Sequence, residues 1–414
     1  MKVLHLVAGE LNGGAARGAY WLHQALRDLG VDSAILTSAK DSLGDESVIS
    51  LADSALGKLK FAVQRRMGQL PLKLYRNRRP TIFNTGIDGV DFTRHPAYAS
   101  ADLVHLHWVI GLVSNRALRK VKKPVVWTLR DMWPLTGGCH HSLECDRYTE
   151  GCGSCPQLGS TRERDLTRFV LRHKQASLPK DIRIVGMSRW MSDCASKSAV
   201  FRARQVTTIS NNVDTELFSP LPKKLARQAL GFDEDRKIVL VGAQDVASVY
   251  KGFDLFVEAL ESLTKDNIHV VLFGKTSGGI PELPGVPITS LGFLSDAIAL
   301  RLAYSAADVF VAPSLADAFG KTLVEAMSCG TPVVCFNATG PKDIVEHQVT
   351  GYRATPFIAQ DLAHGIQWVL DQPLEAYAKM CRAAHDRAQQ RFDSRVIAQQ
   401  YLDLYREILC DAEA

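Results

Sequence analysis

One order of elements opens this chain and begins again after Pro220: a short apolar strand, a glycine-bearing loop, then a helix. In the first half Val3 to Val7 reads as a buried strand, Glu10 to Arg17 as the loop, and Tyr20, Leu22, Ala25, Leu26 and Leu29 as a helical stripe stopped at Gly30. Ser33 to Thr37 reads as the next strand. Further strands are expected at Leu103–His107, Val125–Leu129, Ile182–Met187 and Val206–Ile209, with a helix near 162–177. In the second half Lys237–Val241, His269–Phe273, Asp308–Ala312 and Pro332–Phe336 read as strands, and Thr322–Met327 as a helix. Strand–helix alternation of this kind makes parallel sheets covered on both faces. The expectation is an α/β chain of two domains, 1–212 and 213–388, with a last helix at 389–410 and the segment 389–414 crossing back to the first domain.

The totals agree. A chain of 414 residues is long for one core and comfortable for two. The net charge of +5 is mild and suits an acidic ligand or an anionic surface. Eight of the basic residues fall between 54 and 80, where there is no acid, and Leu56, Leu59, Val63, Met67, Leu70, Leu72 and Leu74 are interleaved with them. This basic amphipathic stretch has two readings: a docking face for anionic lipid, or a solvated helix pair packed on the first domain. No apolar run approaches the roughly 20 residues of a spanning helix, and the N-terminus lacks the pattern of a secretion signal. A cytoplasmic protein, at the inner face of the plasma membrane if the basic stretch docks there, is the expectation. No nucleic-acid recognition motif is present.

The most informative segment runs from Pro313 to Val334, PSLADAFGKTLVEAMSCGTPVV. A strand ends, a loop carries Asp317 and Phe319-Gly320, and a helix starts near Gly320 with Lys321 and Thr322. Gly330 stops the helix, and Pro332 opens the next strand. Ligands of open α/β sheets bind at the carboxyl ends of strands, and a helix N-terminus beside a lysine suits a diphosphate. Asp317 and Glu325 carry carboxylates that accept hydrogen bonds from neutral diols. An ordinary strand–helix crossover with a surface acid is the alternative.

This segment resembles the signature of family 4 glycosyltransferases, which have the GT-B fold of two Rossmann-like domains facing across a cleft. The resemblance implies that Asp317, in place of the usual Glu, contacts the donor sugar and that Glu325 contacts the nucleotide ribose. Val241-Gly242 through Lys251-Gly252 resembles the family's phosphate-binding region, where Lys251 neutralises the leaving diphosphate; Ala243 stands where an arginine is usual, and Lys321 is a stand-in for its charge. Asn211-Asn212-Val213-Asp214 resembles the interdomain segment, with Asn212 in the glycine position, a residue that can still adopt a left-handed conformation. In the first half Gly13 and Gly14 match the loop that borders the reaction centre, although glycine pairs are also common in plain turns. Thr128-Leu129-Arg130 sits at the family's Thr-x-His, so Arg130, or His105 or His107 nearby, takes the role of the histidine that touches the sugar.

Within 133–156, Cys139, Cys145, Cys152 and Cys155 follow a Cys-x5-Cys-x6-Cys-x2-Cys order, similar to an insertion in glycosyltransferases of the colanic-acid and capsule type. Structural zinc on the four thiolates is one reading, and four packed free thiols the other. The resemblance implies a retaining hexosyltransferase that takes a UDP- or GDP-sugar, requires no catalytic cofactor, and delivers to a saccharide or lipid-linked saccharide acceptor in bacterial surface polysaccharide assembly. A non-catalytic sugar-nucleotide-binding subunit and a sugar-nucleotide epimerase are the rivals.

Overall fold

The computed structural model describes residues 1–9, 11, 14–39, 44–245, 248–263, 267–275 and 285–413. The chain divides into two compact units, Met1–Ser210 with Ile397–Ala414, and Asn211–Val396.

The first unit is built on seven strands: β1 (Lys2–Val7), β2 (Asp32–Thr37), β3 (Val48–Ser50), β4 (Leu103–Leu106), β5 (Val125–Leu129), β6 (Arg183–Gly186) and β7 (Val206–Thr208). All pairings are parallel, in the order β3-β2-β1-β4-β5-β6-β7. Every residue of β4 and β5 is buried, as an all-parallel sheet covered on both faces requires. Helix α1 (Gly14–Asp28) joins β1 to β2, and α2 (Ala55–Gln69) starts on Ser54, whose hydroxyl accepts from the Gly57 N–H.

The second unit has six parallel strands: β8 (Lys237–Asp245), β9 (Ile268–Lys275), β10 (Ile288–Ser290), β11 (Val309–Ala312), β12 (Val333–Phe336) and β13 (Gly351–Ala354), in the order β10-β9-β8-β11-β12-β13. Helices α3 (Phe253–Glu261) and α4 (Lys321–Ser328) follow β8 and β11, and α5 (Leu374–Phe392) and α6 (Ser394–Glu413) close the chain. Val239, Val241, Val309, Val311, Val334 and Phe336 pack against Phe256, Leu260 and Ile366 in one apolar cluster. The fold class is therefore α/β, with two Rossmann-like parallel sheets.

One expectation needs correction. The single helix expected at 389–410 is the end of α5 and all of α6. The break is at Asp393, whose backbone turns to φ −58 and ψ 140, and whose Oδ2 accepts from the Thr215 hydroxyl at 2.6 Å. Val213 brackets the break by donating to the Phe392 carbonyl and accepting from the Ser394 N–H. Asn212 is not left-handed. It is buried, and its side-chain amide donates to the Ser394 hydroxyl at 3.2 Å, so the position is held by a side-chain contact that glycine lacks.

The far half of α6 completes the first unit's core. Ile397, Tyr401, Leu404, Tyr405 and Ile408 cluster with Val3, Leu103, Val126 and Val185 of the central strands. Among the described residues no helix is long and apolar enough to cross a membrane.

Candidate functional site

In the second unit the β8–α3 turn and the loop after β11 are tied together by backbone. The Tyr250 carbonyl accepts from the N–H groups of Leu315 and Ala316, at 2.9 and 3.2 Å. Gly252, at φ +64, lies so close to the Pro313 carbonyl that a Cβ there would overlap its oxygen. This close approach sets the Lys251 ammonium 2.8 Å from Asp317 Oδ2. Burial pulls the lysine pKa down, but the Asp317 carboxylate outweighs it and holds Lys251 above its ordinary value. The ammonium therefore stays charged through the physiological range. Asp317 is anchored from its other oxygen, which accepts from the Phe319 N–H at 3.2 Å.

Lys251, Gly242, Ala243, Phe253, Ser314 and Thr322 line one small open concavity at the carboxyl ends of β8 and β11. Gly242 fits there because a larger residue would meet the Phe273 ring. Gly320, at φ +106, opens α4 in the left-handed region that favours glycine. Thr322, in the first turn of α4, thus faces the concavity with Lys251. Glu325 lies a turn further in, buried. It accepts from the Tyr304 hydroxyl at 2.9 Å and lies 3.5 Å from Lys321 Nζ. Lys321 thus neutralises Glu325. Phe319 is buried and stacks edge-on against Phe392 at 5.6 Å, so it packs the loop down. Tyr304 and Phe273 were invisible to sequence reasoning, since neither carries a motif.

The first unit gathers a different set. β1 and β4 pair with His5 opposite His105, and His107 falls on the same face two residues on. His107 Nε2 is 2.9 Å from His5 Nδ1, and Arg130, just past β5, donates to His107 Nδ1 at 3.1 Å. His105 is bonded to the Tyr405 hydroxyl at 2.6 Å and to Thr128 Oγ1 at 2.7 Å, and Thr128 to the Tyr401 hydroxyl at 2.7 Å. The strand register and the alternation of His105 and His107 were the signal for this cluster, and His5 was missed. Arg130 and His107 are thus brought together. Gly14 opens α1, and Gly13 lies outside the described residues.

Burial drives His5, His105 and His107 well below the ordinary histidine pKa, and the charges of neighbouring histidines and Arg130 add to this. Burial also lowers His23 to about 4, against the pull of Asp45. These groups are neutral when folded and titrate near 6.5 when unfolded, so the unfolded chain takes up more protons as pH falls. Their stabilisation is complete above about pH 6.5 and declines below it, each group by up to about 1.4 kcal/mol per pH unit. The melting temperature is expected to fall steadily from pH 7 to pH 5, before carboxylates titrate. A flat or rising profile over that window would contradict it.

Cys139, Cys145, Cys152 and Cys155 line one small concavity with Phe83, Thr136 and Thr167. The insertion does bring them together. Burial raises the Cys139, Cys152 and Cys155 thiols, Cys152 to about 11, so they are held protonated. Lys174, also missed, lies fully buried beside them. It donates to the Trp133 and Thr136 carbonyls and sits 3.8 Å over the Trp133 ring, and burial lowers it to about 7.

The comparisons with known proteins agree with this geometry. Residues 12–217 match the model described as Glycosyltransferase Family 4, and residues 222–390 match that for Glycosyl transferases group 1. The chain is 26% identical over 362 residues to the D-inositol 3-phosphate glycosyltransferase of Saccharomonospora viridis, covering 83% of this chain and 76% of that one. It is 25% identical to WcaC of Escherichia coli, described as a colanic acid biosynthesis glycosyl transferase, over 84% of this chain and 85% of that one. The fold matches that of HepE of Anabaena, solved with UDP-glucose, at a TM-score of 0.66 and 20% identity, over 98% of this chain and 100% of that one. The chain belongs to the family 4 glycosyltransferases and is a glycosyltransferase of GT-B fold.

Proposed function

We propose that this enzyme is a retaining hexosyltransferase that moves a sugar from a nucleoside diphosphate onto a lipid-linked saccharide during bacterial surface polysaccharide assembly, at the cytoplasmic face of the membrane. The observation that carries the reading is the charged Lys251 ammonium at the concavity lined by Gly242, Ala243 and Thr322. The bond between the anomeric carbon and the diphosphate breaks, and negative charge builds on the leaving oxygen. Lys251 and the backbone N–H groups at the start of α4 stabilise that charge, with no divalent ion needed. The acceptor hydroxyl attacks from the same face, so the configuration is retained, and its proton passes to the departing diphosphate oxygen. Asp317 then exchanges part of its bond to Lys251 for a sugar hydroxyl. Glu325 holds the ribose diol, and Arg130 takes the sugar-contacting role that the family's Thr-x-His histidine fills. No step needs zinc on the cysteines. A UDP-sugar is the favoured donor, because the fold neighbour HepE was solved with UDP-glucose.

The lipid-linked acceptor is supported by α2 and the turn after it. Leu59, Val63, Met67, Leu70 and Leu74 are exposed large apolar side chains set among Lys58, Lys60, Arg65, Arg66 and Lys73. Apolar groups interleaved with cations are the requirements of an anionic lipid surface.

The test is nucleotide release from a panel of UDP- and GDP-sugars in the presence of EDTA, with membrane lipid extract as acceptor source. Release with one donor, stimulated by the extract, is expected. Binding of donors without turnover by any acceptor would replace the proposal with a sugar-nucleotide-binding subunit. The purified protein should also float with phosphatidylglycerol vesicles but not with phosphatidylcholine vesicles, and Leu59→Glu/Met67→Glu should abolish flotation. Equal flotation with both lipids would remove the electrostatic argument.

A further inference from the structure

Arg130 is a buried cation, and its bond to His107 fixes more than its own position. A guanidinium only donates hydrogen bonds. Its Nη2 lies 3.1 Å from His107 Nδ1, so that nitrogen must be the acceptor and carries no hydrogen. Because His107 is neutral in its buried site, its proton is on Nε2. That Nε2 lies 2.9 Å from His5 Nδ1 and donates to it. His5 must then carry its own proton on Nε2, a buried atom with no hydrogen-bond partner among the described residues. One donor thus sets two tautomers in series.

We infer that His107 and His5 are positioning residues that hold Arg130 in one conformer for sugar transfer, as a relay of two neutral imidazoles. The inference rests on the proposed role of Arg130 at the donor sugar. Protonating His107 would remove the acceptor and set a second cation against the guanidinium. The groups that face the relay are His105 on β4, Thr128 on β5, Tyr401 and Tyr405 on α6, and His23 on α1. Metal ligation by His5, His105 and His107 is disfavoured by the same contacts, since a dication would sit beside Arg130 and would take the nitrogens that the relay uses. The value of the relay is pre-organisation: a long, flexible side chain is already fixed before substrate arrives.

Two readouts test it on the full-length protein. Long-range proton–nitrogen correlation spectra of 15N-histidine-labelled enzyme at pH 7.5 should show both His107 and His5 as Nε2–H tautomers. A His107 Nδ1–H form would overturn the relay without any variant. In kinetics, His107→Leu should lower kcat by roughly 30–100-fold with donor KM changed less than about threefold. His107→Asn places an oxygen near the Nδ1 position and should recover most of that loss. Equal loss in both variants, or a loss seen only in KM, would overturn the positioning role. Full turnover in Arg130→Ala, with the tautomers as expected, would instead overturn the placement of Arg130 at the sugar.

Discussion

Lys251→Ala is expected to lower kcat/KM for the nucleotide-sugar donor by about 10²–10³-fold, the largest loss of any single change at the concavity. The magnitude is that of removing one fixed group that stabilises charge appearing only in the transition state. Lys251 is suited to this because Asp317, 2.8 Å away, keeps it charged while the Gly252–Pro313 contact keeps it in place. The fold should survive the change. Lys251 and Asp317 are both partly exposed, and pairs of this kind contribute at most about 1 kcal/mol. Lys251→Arg should recover part of the activity, since it keeps the charge but not the compact ammonium. Measuring kcat/KM beside the melting temperature separates chemistry from folding. Turnover within threefold of wild type in Lys251→Ala would remove this residue from the mechanism.

Gly252→Ala carries the largest expected effect on stability. Its backbone sits at φ +64, which costs an alanine about 1–2 kcal/mol. The added Cβ would also overlap the Pro313 carbonyl oxygen, a backbone atom that cannot swing aside, adding about 1–3 kcal/mol. Gly231 supplies the control. It has nearly the same backbone, φ +69, but open space where a Cβ would go. Gly231→Ala should therefore pay only the conformational term. A thermal or urea melt in which both variants lose the same stability would show that the Pro313 contact is not tight. Because the same contact seats Lys251, Gly252→Ala should also weaken donor binding, whereas Gly231→Ala should not.

The success of the sequence reading followed the range of the interactions involved. Val125–Leu129 is both expected and found as a strand, and the helix over Lys321–Ser328 differs from the expected Thr322–Met327 only at its ends. These elements are written locally, in apolar runs and in glycine and proline stops. The short edge strands β3, β10 and β13 were missed. Phe319 sits inside the motif, and what its ring packs on, Phe392, lies far along the chain. The cysteines were correctly read as a group. Their side-chain directions, which decide whether they share an ion, are set by the turn that carries Cys152 and Ser154 at positive φ.

The sequence by itself determined the two parallel α/β sheets, the loop between β11 and α4, and the family, because each depends on residue order over a few turns. Tertiary structure alone decided which charges meet. Lys251 reaches Asp317 across 66 residues, and His107 reaches His5 across 102. Those meetings depend on the order and register of parallel strands, where a shift of one residue turns a side chain to the other face. They also depend on close contacts such as Gly252 against Pro313, which no local pattern records.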